Sequence, residues 1–98
     1  MIVEIQVLPS PAGTPGGRWE HVEAALTLIK GSGLSYEVGP MGTSIEGEPD
    51  ELWPLLRRVH EATLASGAEG VISVVKISES RLDERRTTMA QLVGPWRS

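Results

Sequence analysis

The chain has 98 residues, nine Lys and Arg against 13 Asp and Glu, and a formal net charge of −4. That length allows one domain with a thin core, and the acidic balance disfavours nucleic acid and anionic membranes, both of which require a basic face. The absence of Cys excludes disulfides, thiolate metal sites and Cys nucleophiles, and with no Phe and a single Tyr no base-stacking sheet can be built.

The first eight residues, Met1 to Leu8, predict a strand, with Val3, Ile5 and Val7 on one side and Glu4 and Gln6 on the other. Pro9 and Pro11 are expected to stop it. Gly13 to Gly17 contains GTPGG but lacks the Lys and hydroxyl of a phosphate loop, and reads as a plain connection. From Trp19 to Lys30 the period changes: Val22, Ala25, Leu26 and Ile29 make one apolar stripe of a helix. Gly31 and Gly33 supply its stop.

Leu34 to Val38 and Gly42 to Glu46 alternate as two strands around Gly39-Pro40-Met41-Gly42, a hairpin. Glu48 to Ser66 follows as a second helix, with Leu52, Leu55, Leu56, Val59 and Ala62 on its buried stripe. Pro49, Asp50 and Glu51 suit its positive end, and Pro54 requires that it begin close to Pro49. Val71 to Ile77 predicts a fourth strand. The tail from Leu82 begins charged and predicts a short helix after Thr87 or Thr88. The apolar run Val71–Val75 is too short to span a bilayer, and the N-terminus lacks a basic region. A soluble cytoplasmic protein is the expectation.

The order β-α-β-β-α-β, joined by right-handed crossovers, predicts an α+β ferredoxin-like plait: a four-stranded antiparallel sheet with both helices on one face. A single domain spans 1–98, with 82–98 as its tail. Strands one and three are then central, and two and four are edges. Val3, Ile5, Val7, Ile45, Val71, Val75 and Ile77 are assigned to the helix-covered side. Glu4, Gln6, Ser44, Glu46 and Lys76 fall on the open side beside Ile72 and Val74. Such a mixed face suits a subunit interface with a polar pocket, or a wet sheet with a Glu4–Lys76 cross-strand pair.

At the hairpin, GLSYEVGPMGTSIEGE (Gly33–Glu48) resembles the signature segment of the thiamine-binding-protein-like family, and the likeness extends to Ile5–Pro9, His60–Ala62, Gly67-Ala68 and Lys76-Ile77. The resemblance implies a ferredoxin-like subunit assembled through its sheets as a homodimer or homotetramer. It also implies binding of thiamine or its hydroxymethylpyrimidine part without catalysis, with no required cofactor, no metal and no catalytic residues.

Thiamine joins an aminopyrimidine to a cationic thiazolium. Thr43 and Ser44 can donate and accept hydrogen bonds, and Gly42 permits close backbone approach. Glu4 and Glu46 can neutralise the cation, Gln6 can read a ring edge, and Met41 offers adaptable apolar contact. The candidate site is therefore Glu4, Gln6, Met41, Gly42, Thr43, Ser44 and Glu46. Each has a plainer reading as well: Glu46 or Glu48 as a charge at the second helix's start, Thr43 as an ordinary strand residue. Tyr36 reads as a packed side chain, His21 as exposed, and His60 as lying at the stripe's edge. Two other functions stay open, a small enzyme with Glu4 or Glu46 as general base and a purely structural or regulatory assembly module.

Overall fold

The computed structural model describes residues 1–97, with Glu84 by its backbone alone; Ser98, the end of the expected domain, lies outside the described residues. Four strands, β1 (Ile2–Ser10), β2 (Ser35–Val38), β3 (Thr43–Glu46) and β4 (Gly70–Ser78), form one antiparallel sheet in the order β2-β3-β1-β4. Helices α1 (Glu20–Gly31) and α2 (Pro49–Ala65) pack on one face, and α3 (Met89–Val93) lies in the tail. This is the ferredoxin-like plait that the element order predicts. No described helix is long and apolar enough to cross a membrane.

The core lies where the stripes of both helices meet the central strands. Val3, Ile5 and Ile45 from the sheet close on Ala25 and Ile29 of α1 and on Leu52, Leu55 and Val59 of α2. Pro49 occupies the first helical position, where its missing N–H leaves no bond unmade. Pro54 falls in the second turn, further inside than the sequence suggests, and is tolerated on the solvent side of the helix.

Three expectations need correcting. Strand β1 runs through Pro9 to Ser10, pairing Pro9 with Val71 and Ser10 with Gly70. Its pairing with β3 ends at Ile5, so β1 has a bare edge beyond that point, where a residue without an N–H costs nothing. Val75 and Ile77 share the helix side of the sheet but are 38% and 43% exposed. Strand β4 is an edge that overhangs the two-helix layer, so the alternation that orients its side chains does not bury them.

His21 is the third. It is only 2% exposed, beneath the C-terminus of α2, and not in solvent. Ser66 Oγ donates to Thr63 O at 2.7 Å, so His21 Nδ1–H is the donor in the 2.6 Å bond to Ser66 Oγ. The imidazole therefore ties the start of α1 to the end of α2, because the two helices run antiparallel. His60 is half-buried, and its Nδ1 lies 2.6 Å from Ser73 Oγ of β4.

Candidate functional site

Between α1, the second half of β1 and the β2–β3 turn lies a cavity of about 330 Å³. It exists because β3 accompanies β1 only as far as Ile5, and beyond that the turn Gly39–Gly42 replaces a strand. Ala25 on the facing helix and the two turn glycines are too small to fill the gap. Its volume falls at the lower end of the range for small-molecule pockets, about 300–1,000 Å³.

The walls are mostly apolar: Val22, Leu26 and Ile29 from α1, Val7 from β1, Met41 from the turn and Val59 from α2. Trp19 closes one side. None of the residues lining the cavity carries a charge. Thr43, 4% exposed, brings a hydroxyl-bearing residue to this wall. A hydroxyl can both donate to and accept from a guest.

Trp19 is held there by the Gly/Pro loop. Thr14 and Gly17 exchange backbone hydrogen bonds of 2.9 and 3.0 Å, and the carbonyls of Gly17 and Ala12 accept the N–H groups of Glu20 and His21. The loop's own backbone thus caps α1, which has no side-chain cap. A Cβ at Gly13 would stand 2.1 Å from the Gly17 carbonyl oxygen, so this fold of the loop requires glycine there. The loop is therefore more than a connection, and Trp19 lines the candidate site although the sequence alone did not single it out. The signal was present: an aromatic residue at a helix start, directly after the glycines.

The seven sequence-derived candidates divide between two faces of the sheet. Met41, Gly42 and Thr43 line the cavity, and Gln6 joins its rim. Strand alternation directs the Gln6 side chain to the open face, opposite Val74, so the cavity meets this residue at its backbone. Glu4 and Ser44, which are register partners, and Glu46 lie on the open face. Glu4 pairs with Lys76 across the strands at 3.7 Å, and its side chain packs against the other side of Gly42, where a Cβ would meet Glu4 Cγ at 3.3 Å.

The tail occupies the β2–β3 half of that open face. Glu46 Oε1 accepts the backbone N–H of Met89, and Arg97 pairs with Glu37 of β2. Glu46 thus serves the start of α3, while at the start of α2 the expectation holds for Glu48, the N-cap of a capping box with Glu51, whose carboxylate accepts the Glu48 N–H at 3.1 Å. The β1–β4 half is left exposing Leu8, Ile72 and Val74. Neither Glu4 nor Glu46 lines the cavity. Tyr36, expected to be packed, is 39% exposed on the helix side of edge strand β2. Trp53 is exposed on α2 and contributes little to its packing.

A profile of the family described as "Thiamine-binding protein" matches residues 3–94. A UPF0045 protein of Clostridium perfringens is 35% identical over 95 residues, covering 97% of this chain and 95% of its own. Among solved structures, a domain of unknown function from Bacillus cereus superposes with a TM-score of 0.83 at 30% identity, over 98% of this chain and 88% of that one. A Thermotoga maritima protein assigned provisionally to thiamine biosynthesis or salvage gives 0.80 at 26% identity, over 98% and 97%. The match spans every element that builds the cavity, the hairpin turn included. By sequence and by fold, this chain belongs to the thiamine-binding protein family.

Proposed function

We propose that this protein binds thiamine or a hydroxymethylpyrimidine-type molecule in the cavity between α1 and the β2–β3 turn, without transforming it, as a carrier or sensor. The single observation that carries the reading is the uncharged, mostly apolar space of about 330 Å³ that the hairpin turn closes with Met41 and Gly42, with Thr43 at its wall. An aminopyrimidine suits that arrangement. Its ring faces meet Trp19, Met41 and Leu26, and its nitrogens can exchange a hydrogen bond with the Thr43 hydroxyl. Of the residues expected from sequence, Met41, Gly42, Thr43 and the backbone of Gln6 are assigned to the ligand. No acid lines the cavity to abstract a proton, which favours binding over catalysis.

Assembly belongs to the same reading. Leu8 stands at the cavity rim and pairs in register with Ile72, next to Val74, on the exposed half of the open face. Copies meeting there as a homodimer or homotetramer would set each cavity beside a subunit interface. Light scattering tests this part: an oligomer that Ile72→Asp dissociates supports it, and a monomer at micromolar concentration overturns it.

Calorimetric titration with thiamine and with hydroxymethylpyrimidine tests the binding. At least one should bind, and Thr43→Val should weaken it by about threefold to tenfold, the worth of one hydrogen bond. An unchanged affinity in Thr43→Val removes the ligand from this cavity, and no heat with either compound overturns the reading.

A further inference from the structure

The cavity has an open neighbour. On the other side of Leu26 and Val38, which line both spaces, a shallow groove of about 290 Å³ runs between α1 and edge strand β2. Its remaining walls are Glu23, Thr27, Lys30 and Tyr36. Glu23 and Tyr36 make no ion pair or side-chain hydrogen bond among the described residues, so a carboxylate and an aromatic ring are both available to a guest.

The two spaces differ in the charge they accept. The inner cavity offers no counter-ion, and burying a cation there unpaired is prohibitive. The outer groove is wet, bears an anion, and presents the ring of Tyr36. A permanently cationic heterocycle is attracted both to a carboxylate and to an aromatic face. Resting on the binding reading above, we infer that the groove of Glu23 and Tyr36 is a second subsite, which takes the cationic ring of a two-ring ligand whose neutral ring fills the inner cavity. The protein then prefers the two-ring compound to the single pyrimidine. Lys30 lies seven residues beyond Glu23 on the same helix, about 10 Å along its axis, and opposes a bare cation.

Titration of four proteins, wild type, Glu23→Gln, Tyr36→Leu and Lys30→Ala, with thiamine and separately with hydroxymethylpyrimidine tests this. All three side chains are at the surface, so the variants retain the fold. In wild type, thiamine should bind more tightly. Glu23→Gln and Tyr36→Leu should each lower the ratio of thiamine to pyrimidine affinity by about threefold to tenfold, more at low salt. Lys30→Ala should raise it by about twofold to threefold.

If the pyrimidine binds as tightly as thiamine, or the substitutions leave the ratio unchanged, the second subsite is overturned and the inner cavity stands. If neither compound binds wild type, the binding reading falls and takes the subsite with it.

Discussion

Glu46 on the last position of β3 accepts the backbone N–H of Met89 at 2.5 Å, fastening the first turn of α3 to the open face of the sheet. The Arg97–Glu37 ion pair fastens the far end of the same segment to β2. A short helix with no buried residue of its own is held by these two contacts and by its capping box, in which Thr88 and Gln91 bond to each other's backbone N–H groups at 3.1 and 2.8 Å.

Replacing Glu46 by Ala should therefore free the tail and spare the rest. A charge-assisted bond to a backbone amide is worth about 1 kcal/mol at a helix start. Hydrogen exchange should show protection at Met89 and Gln91 falling about fivefold, with the amides of β1 unchanged. Because Glu46 lies across the sheet from the cavity, thiamine affinity should stay within about twofold. A tenfold loss would place the ligand on the open face instead.

The Gly/Pro loop gives a second prediction. Gly13→Ala puts a methyl group into the Gly17 carbonyl, a backbone atom with nowhere to go. The loop must open, Glu20 and His21 lose their backbone acceptors, and Trp19 leaves the cavity wall. We expect a loss of about 1–3 kcal/mol in urea unfolding and a red-shifted Trp19 emission in a Trp53→Phe, Trp96→Phe background. Retained stability together with unchanged emission would show that the loop does not position Trp19.

Ser66→Ala tests the buried histidine. It removes the acceptor of the His21 Nδ1–H, leaving a buried donor unpaired at a cost of about 1–3 kcal/mol. Ser73→Ala, which deprives the half-buried His60, should cost less because water can replace the hydroxyl. Equal costs would mean that water reaches both rings.

The overhang of β4 makes a paired prediction. Ile45→Ala removes a fully buried side chain and should cost about 2–5 kcal/mol, whereas Ile77→Ala, on the same side of the sheet, should cost about 1. Urea melts at low protein concentration measure both. Matching losses that grow with protein concentration would reveal that this edge is buried in an assembly.

Much of this molecule is legible in its primary structure. The period-two and period-3.6 stripes, the Gly39–Gly42 turn and the Pro49 start yield every major element to within about three residues, and the βαββαβ order then dictates strand neighbours. Met41, Gly42 and Thr43 stand out in the sequence and do line the cavity. These features are local: each depends on a few consecutive residues and the periods of the backbone.

What eluded the sequence depends on distances between elements. Alternation placed Glu4, Ser44 and Glu46 on one face of the sheet and Thr43 on the other, and the mixed open face was the one expected to carry a pocket, whereas the apolar cavity lies on the helix side. That was decided by where β3 stops beside β1, a matter of register between segments some forty residues apart. The same holds for His21, buried because α2 ends over it, and for Val75 and Ile77, uncovered because two helices are too narrow for four strands. Periodicity determines which way a side chain points, whereas only tertiary packing determines what stands in front of it.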